Sequence, residues 1–359
     1  MAVIFLVLLL LILLAQRWSM SKVLNGVDFD YTPSRLLVAP GEKFELTINL
    51  SNHSRRFVPF IRVEGFLPAG LTVHDQSSEF KTINENDSIL QNPSFSYSTY
   101  LMPRSGLRNV LSASISRRGR FSFRGARLWG GDFLGWNENR HNIDCFSEVV
   151  VYPKECESTR LEEMIGGFFG DLSVRRFIIE DPVLTAGFRE YTGREPMKAI
   201  SWTQSARTSS LVVKNYDYTT EASVTVLLNV ECEPDCPKTD KETLIESCYS
   251  LTHTVCRKLE ERRVQYDFYT NASTSGALAS WSYIGEGLGR THFETILEGL
   301  GRASYELRES LPAIMKRLRP LGTRSLIIIT PTNKQRIFEL LNQENLSSAF
   351  VIPAGELMP

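Results

Sequence analysis

The stretch SVTVLLNV, from Ser223 to Val230, decides the fold of the C-terminal half of this 359-residue chain. Its residues are mostly apolar or β-branched and do not alternate with charged ones, which is typical of a strand buried in a parallel sheet. A helix is expected next, because Thr239 and Glu242 fit a capping box. One apolar helical face follows, made of Leu244, Cys248, Leu251, Val255 and Leu259.

The same alternation of strand and helix continues to the end of the chain. The later strands are expected at 264–269, 325–330 and 349–352. The later helices are expected to start at Thr291 with Glu294, to run from Leu311 to Leu318, and to start at Thr332 with Gln335. Residues 223–359 are therefore predicted to form a doubly wound α/β domain.

Upstream, residues 29–153 contain short strand patterns separated by turns. Phe44, Leu46, Ile48 and Leu50 alternate with polar residues after a Pro40-Gly41 turn. Further strands are expected at 60–63, 95–101, 111–116, 119–128 and 149–152. Their spacing predicts an antiparallel β-sandwich of immunoglobulin-like type. Residues 154–222 are predicted to connect the two domains, with a glycine-rich kink at Gly166, Gly167 and Gly170.

Residues 187–214, which we call the signature segment, read GFREYTGREPMKAISWTQSARTSSLVVK. Neither the helical nor the strand period organises them, yet charged and aromatic residues are dense. The candidate interaction residues are Arg189, Glu190, Tyr191, Glu195, Lys198, Trp202 and Arg207. Arginine pairs with carboxylates and stacks on aromatic rings, so these residues predict either an interlocked structural latch between the domains or an exposed binding surface.

The signature segment resembles the signature of the bacterial DUF58 family (domain of unknown function 58). That signature runs roughly R-E-Y-x-x-G-D-x-x-R-x-I-x-W and then A-R-T-G-x-L. The direct matches are Arg189, Glu190, Tyr191, Ile200, Trp202, Ala206, Arg207, Thr208 and Leu211. Glu195 replaces the family's Asp and Lys198 its Arg. Arg194 and Ser209 occupy positions where the family has glycine. Whether the chain makes a tight turn at either position is therefore an open question, because glycine adopts such turns most readily.

This resemblance implies a C-terminal part similar to a von Willebrand factor A domain. It also implies a partner, because members of the family are commonly encoded beside MoxR-type AAA+ ATPases. The chain is accordingly predicted to be a protein-interaction or adaptor protein working with such an ATPase in assembly or chaperone-like processes. The resemblance supplies no settled reaction and no cofactor.

The von Willebrand factor A metal motif D-x-S-x-S is not conserved in this sequence. Asn229 stands at its first position, and Glu231 and Glu233 replace the serines. Oxygen-bearing side chains can hold a hard cation. The alternative function is therefore a ligand- or cation-binding module at the C-terminal strand ends. The competing interpretation of these residues is a loop that binds no metal.

No catalytic constellation is found in the sequence, and the chain is not predicted to be an enzyme. Ser201 and Ser205 lie in no nucleophile elbow, and the signature segment has no histidine. Cys232, Cys236, Cys248 and Cys256 are interpreted as small hydrophobes or free thiols rather than a zinc site.

Residues 2–15 are uniformly apolar and are followed by Arg17 and Trp18. As a helix this run would be about 21 Å long, against a hydrocarbon core of roughly 30 Å. We predict a single-pass membrane anchor over residues 1–18, with a signal sequence and a buried helix as alternatives. Arg17, Lys22 and Arg35 follow the run, so the positive-inside rule predicts cytoplasmic soluble domains at the cell membrane.

The net charge of −1 lacks the basic footprint of a nucleic-acid-binding protein. Residues 88–131 are locally basic, with no acidic residue and seven arginines: Arg104, Arg108, Arg117, Arg118, Arg120, Arg124 and Arg127. Such a run is explained either by a solvated strand face or by an anionic membrane surface or acidic partner. In outline, the sequence predicts a multidomain α+β protein with a membrane helix, a β-sandwich and an α/β domain, and the family resemblance implies that the α/β domain is von Willebrand factor A-like.

Overall fold

The computed structural model describes residues 24–74, 81–83, 94–131, 138–176, 185–193, 195–216, 223–276, 282–318, 325–343 and 349–357. Two compact units make up the chain, an N-terminal unit that ends at Lys154 and a C-terminal unit that begins at Glu155. The predicted anchor over residues 1–18 lies outside the described residues. Among the helices that are described, none has both the length and the apolar character needed to cross a membrane.

The described residues of the N-terminal unit include ten strands. They are β1 (Val27–Pro33), β2 (Leu37–Val38), β3 (Lys43–Asn52), β4 (Val58–Phe66), β5 (Leu71–Val73), β6 (Lys81–Ile83), β7 (Ser94–Leu101), β8 (Gly106–Ile115), β9 (Gly119–Gly131) and β10 (Glu138–Val151). One sheet has the order β1-β3-β8-β5 and the other β2-β10-β9-β4-β7-β6. The described pairings within these two sheets are antiparallel except the short parallel pair of β2 and β10.

Alternating apolar residues of both sheets form one core. Leu46, Ile48 and Leu50 of β3 are fully buried, as the alternation in the sequence predicts. They meet residues of the second sheet, including Ile61 and Leu128, in the same buried cluster. The predicted β-sandwich is confirmed.

The hairpin of β9 and β10 is much longer than the sequence suggests. It contains a bulge, because the register shifts between Ile143 and Phe146 opposite Gly125. Gly125 has φ +64°, and a Cβ there would lie 2.3 Å from the carbonyl oxygen of Ile143. Only glycine fits this close approach, so Gly125 fixes the bulge.

The C-terminal unit mixes helices and strands. Its helices are α1 (Thr159–Arg176), α2 (Trp202–Thr208), α3 (Lys238–Glu261), α4 (Arg290–Arg302), α5 (Leu311–Leu318) and α6 (Lys334–Gln343). Its strands are β11 (Thr185–Glu190), β12 (Val212–Tyr216), β13 (Ser223–Leu228), β14 (Gln265–Thr270), β15 (Ala272–Thr274), β16 (Tyr283–Gly287), β17 (Ala303–Leu307), β18 (Ser325–Thr330) and β19 (Ala349–Pro353). Two short two-stranded sheets pair β11 with β12 and β15 with β17.

The main sheet of this unit has the order β16-β14-β13-β18-β19. All strands except the edge strand β16 run parallel. Helices α5 and α6 cover one face, where Ile314 and Ile337 pack with Leu227 and Ile328. Since the chain moves from β13 to one neighbour and later returns to the other, the strand order reverses between β13 and β18. The mixed α/β architecture is thus established, and β13 is its central strand.

The first described element of the predicted connector is helix α1. Helix α1 runs unbroken through Gly166, Gly167 and Gly170, so the expected glycine kink is absent. The helix is held within the C-terminal unit, because the rings of Phe168 and Phe350 lie 5.2 Å apart. Apolar residues four apart on α1 therefore outweigh the poor helix propensity of glycine.

Three helix starts differ from the sequence prediction. Helix α3 begins at Lys238 after Pro237, and α4 begins at Arg290 after Gly289, each without a side-chain cap at that residue. Helix α6 begins at Lys334, where Asn333 Oδ1 accepts from the backbone N–H of Gln335. The predicted capping boxes at Thr239, Thr291 and Thr332 are wrong, because other residues precede the first turns.

Candidate functional site

The signature segment forms a small folded excursion built on the β11–β12 hairpin. Arg189 is opposite Val213 and Glu190 is opposite Val212 in the antiparallel register. Between the strands come a 3-10 turn at Met197–Ala199 and helix α2. The excursion returns to the hairpin where Ile200 bridges to Val213, and Ile200, Val212 and Val213 are buried.

Glu195 braces the turn that follows β11. Its carboxylate accepts from the Thr192 backbone N–H at 3.1 Å and from the Thr192 hydroxyl at 2.9 Å. Arg189 Nη1 lies 3.2 Å from the same carboxylate. Burial opposes ionisation, but the Thr192 hydrogen bonds and the Arg189 charge outweigh it and lower the pKa of Glu195. Glu195 therefore has a positioning role within the segment.

Of the two positions where the family has glycine, Arg194 and Ser209, only Ser209 is described. Gly193 has φ +87°, so the turn glycine stands one residue before Arg194, which lies outside the described residues. Ser209 ends α2 at φ 55° and ψ 16°, in the left-handed region. A glycine-type turn is thus kept at Ser209 without glycine.

The two candidate serines of the segment are structural. Ser201 donates its backbone N–H to Val212 O at 2.9 Å. Ser205 Oγ accepts from the Val212 backbone N–H at 3.0 Å, which ties α2 to β12. Neither the family pattern nor the periodicity predicts this brace, because a hydroxyl that bonds locally leaves no pattern in the sequence.

Large apolar side chains of the segment point to solvent. Trp202 is 62% exposed and Met197 is 70% exposed. Phe188 and Leu211 are also exposed, and we call these four residues the exposed set. Basic side chains at Arg189, Lys198 and Arg207 are exposed among them. Aromatic and arginine side chains exposed together are typical of binding surfaces.

Few of the candidate interaction residues pair with one another. Arg189 pairs with Glu195, but among the described residues no ion pair joins Arg189, Lys198 or Arg207 to Glu190. Tyr191 is half-buried, whereas Arg207 is exposed. The structure therefore brings Arg189 and Glu195 together and leaves Glu190, Lys198, Trp202 and Arg207 accessible.

The second candidate site lies where β13, β14 and β18 end. Asn229 is fully buried, and its Oδ1 accepts from Asn271 Nδ2 at 2.6 Å and from the Glu231 backbone N–H at 3.0 Å. Its Nδ2 donates to Thr330 Oγ1 at 2.9 Å. Thr332 Oγ1 donates to the Glu231 carbonyl at 2.6 Å. We call this set of hydrogen bonds the strand-end network.

The two carboxylates considered as cation ligands, Glu231 and Glu233, instead accept hydrogen bonds at the N-termini of two helices. Glu231 Oε2 accepts from the Leu311 backbone N–H at 2.9 Å, at the start of α5. Glu233 Oε1 accepts from the Asn333 backbone N–H at 3.3 Å, just before α6. Both interactions place a negative charge near a helix N-terminus, where it is stabilising. Within the described residues, no three His, Cys, Asp or Glu side chains converge as a metal site.

The chain has six cysteines, and Cys232 is the one that lies closest in sequence to the end of β13. All six are free thiols, and Cys248 and Cys256 are buried in α3. Burial, with the neighbouring Cys236, raises the pKa of Cys232 to about 11. A thiol with so high a pKa is almost wholly protonated at neutral pH, so Cys232 is not an activated nucleophile.

No family model matches the chain, and no curated protein matches it. Solved structures similar to part of it include the CARDB domain of a Pyrococcus furiosus protein, at 12% identity and a TM-score of 0.23. That match covers 35% of this chain and 91% of the other.

Two cohesin modules are similar to the same extent. One comes from a family 33 glycoside hydrolase of Clostridium perfringens, at 12% identity and a TM-score of 0.25, covering 35% of this chain and 97% of the module. The other is a type II cohesin domain from the cellulosome of Acetivibrio cellulolyticus, at 10% identity and a TM-score of 0.25, covering 35% and 94%. This similarity is too slight to assign a function.

Proposed function

We propose that this chain is a membrane-anchored adaptor of the DUF58 family that binds a MoxR-type AAA+ ATPase through its signature segment. In this proposal residues 2–15 hold it in the membrane, and both compact units are cytoplasmic. An immunoglobulin-like sandwich and a von Willebrand factor A-like domain belong to the same proposal. No catalytic residue and no cofactor is assigned.

The exposure of Trp202 is the observation that carries the proposal. A tryptophan left 62% exposed forgoes most of the free energy that its burial would provide. The rest of the segment is braced locally, by Ser205 at α2 and by Glu195 at the Gly193 turn. A braced excursion that exposes aromatic, methionine and arginine side chains has the composition of an interface hot spot.

The test is binding of the purified full chain to a MoxR-type ATPase from the same genome, by pull-down and calorimetry. Trp202→Ala and Arg207→Ala are each expected to weaken the complex by roughly 30-fold, the effect of losing a hot-spot side chain of about 2 kcal/mol. The melting temperature of each variant should stay at the wild-type value, because both side chains are exposed.

Phe338→Ala is the matched control. Phe338 is an exposed aromatic residue on α6 in the same unit, and its removal should leave the affinity unchanged. Unchanged affinity of Trp202→Ala would overturn the proposal. Loss of stability in step with loss of binding would instead support a structural latch.

A further inference from the structure

Three loops meet at the end of the sandwich through which the chain enters from residues 1–23. They are the turn at 24–26, the β3–β4 loop at 53–57 and the β7–β8 loop at 102–105. His53 donates its backbone N–H to Gly26 O at 2.7 Å, and Arg104 donates its own to Ser54 O at 3.0 Å. We call these loops, with Tyr100 at the end of β7, the loop platform.

Asn52 holds the loop platform together. It is 1% exposed, and its Nδ2 donates to Arg56 O at 2.8 Å and to Met102 O at 3.0 Å. Its Oδ1 accepts from the Ser54 backbone N–H at 3.0 Å and from the Ser54 hydroxyl at 2.7 Å. One buried amide thus ties two loops to each other, so the side chains between them have a fixed arrangement.

The surface of the loop platform is both apolar and basic. Tyr100 is 59% exposed and Met102 is 53% exposed, and the rings of Tyr100 and Phe57 lie 6.2 Å apart. Arg55 and Arg104 are exposed beside them. Amphipathic aromatic side chains and arginines are the residues that settle at a membrane–water interface.

Two further arginine–aromatic pairs lie at the same end of the sandwich, because Phe60 is opposite Gly131 in the register of β4 and β9. The Arg62 guanidinium is 5.8 Å from the Phe60 ring centroid, and that of Arg140 is 5.5 Å from the Trp129 ring centroid. The described acidic residues at this end are Asp28, which pairs with His53 at 3.2 Å, and Glu138. The basic residues there are Arg55, Arg56, Arg62, Arg104 and Arg140.

Two arginines elsewhere in the basic run are held in ion pairs. Arg120 pairs with Glu148 at 2.6 Å and Arg127 pairs with Glu64 at 3.0 Å. Arg117 lies in the turn between β8 and β9, at the opposite end of the sandwich. Among the described residues, Arg55 and Arg104 of the loop platform form no ion pair, and an anionic surface complements such exposed positive charge.

The short segment between the apolar run and the sandwich indicates what the loop platform binds. Only residues 16–23 separate the apolar run at 2–15 from Leu24. Fully extended, such a linker spans at most about 30 Å. If residues 2–15 enter a membrane, as the proposed function has it, the loop platform is the part of the sandwich closest to the lipid headgroups.

We propose that the loop platform binds the headgroup layer of an anionic phospholipid bilayer, with Arg55 and Arg104 on the phosphates and Tyr100 and Met102 in the interface. The inference rests on the proposed anchor for its geometry. An anionic leaflet attracts each arginine near it by a factor of about five in binding, and the attraction falls as salt screens it.

Hydrogen exchange of the full chain on vesicles tests the proposal. The vesicles are phosphatidylcholine alone, or equal parts of phosphatidylcholine and phosphatidylglycerol. Backbone amides of 53–57 and 102–105 are expected to exchange about fivefold more slowly on the anionic vesicles. Molar salt should abolish the difference, and the turn at 116–118 should show none.

Arg55→Glu combined with Arg104→Glu should remove the protection, because both side chains are exposed and repulsion replaces attraction. Arg117→Glu makes the same charge change at the opposite end and should keep it. Equal exchange of 53–57 and 102–105 on both vesicles would overturn the proposal. Protection by polyglutamate but not by anionic vesicles would also overturn it, in favour of an acidic protein partner.

Flotation separates this proposal from the anchor. An inserted anchor carries the chain up with phosphatidylcholine vesicles regardless of Arg55 and Arg104. If the chain floats only with anionic vesicles, and only with both arginines intact, the anchor is wrong and the loop platform stands.

Discussion

Ser209 adopts a backbone conformation that glycine would adopt at lower cost. Its φ of 55° and ψ of 16° lie in the left-handed region, where a side chain is disfavoured by about 1–2 kcal/mol. Ser209→Gly removes this cost, and the greater freedom of glycine in the unfolded chain offsets part of the gain. The free energy of unfolding of the C-terminal unit should rise by about 0.5–1 kcal/mol in urea titration.

Ser210→Gly is the control for this prediction. Ser210 is not among the described residues with positive φ, so the substitution brings only the entropic cost of glycine. Stabilisation by both substitutions alike would mean that the left-handed conformation of Ser209 carries no strain.

At the level of single residues, the sequence identifies the signature segment but does not predict which of its side chains are hydrogen-bonded and which are exposed. Glu195 was expected on the same footing as Glu190, yet Thr192 and Arg189 hold Glu195 while Glu190 faces solvent. Nothing in residue type separates the two carboxylates, because the difference depends on which turn each one follows. The exposure of Trp202 likewise depends on the tertiary structure, since residue type alone favours its burial.

At the level of elements, the strand-end network makes the end of β13 depend on Asn229. Asn229→Asp keeps the shape but removes the amide donor and buries a carboxylate, which should cost about 2–3 kcal/mol at pH 7. Burial raises the pKa of the introduced carboxyl in the folded state above its unfolded value near 3.9. The loss should therefore be small at pH 4 and grow as pH rises through the folded pKa.

Asn229→Ala is the matched control, since it also breaks the network but adds no titrating group. Its loss of stability relative to the wild type should be the same at pH 4 and pH 7 in urea titration. A pH-independent loss for Asn229→Asp would show that solvent reaches the end of β13.

Elements with strong apolar patterns were predictable and the others were not. Strand β18 matches its prediction at 325–330, and α5 matches at 311–318. Both bury apolar side chains whose spacing in the sequence already indicates the element. Strand β10 was expected only at 149–152, since the outer half from Glu138 is exposed and polar and is defined by pairing with β9. Edge strand β16 was missed for the same reason, as its residues are mostly exposed.

At the scale of the whole molecule, each compact unit has a buried core of its own. Leu46 and Ile48 belong to the core of the N-terminal unit, and Ile314 and Ile328 belong to that of the C-terminal unit. A unit with its own core unfolds cooperatively by itself. Calorimetry of the full chain should accordingly resolve two unfolding transitions.

Core truncations assign each transition to its unit. Leu46→Ala and Ile328→Ala each remove a fully buried side chain and should cost about 2–5 kcal/mol. A loss of about 3 kcal/mol lowers the midpoint of a unit of this size by roughly 10 °C. Leu46→Ala should lower one transition and Ile328→Ala the other, while the exposed Val110→Ala should move neither. A single transition lowered by both core variants would mean that the two units unfold as one body. A cavity in one core lowers the melting temperature of the other unit only if the two unfold together.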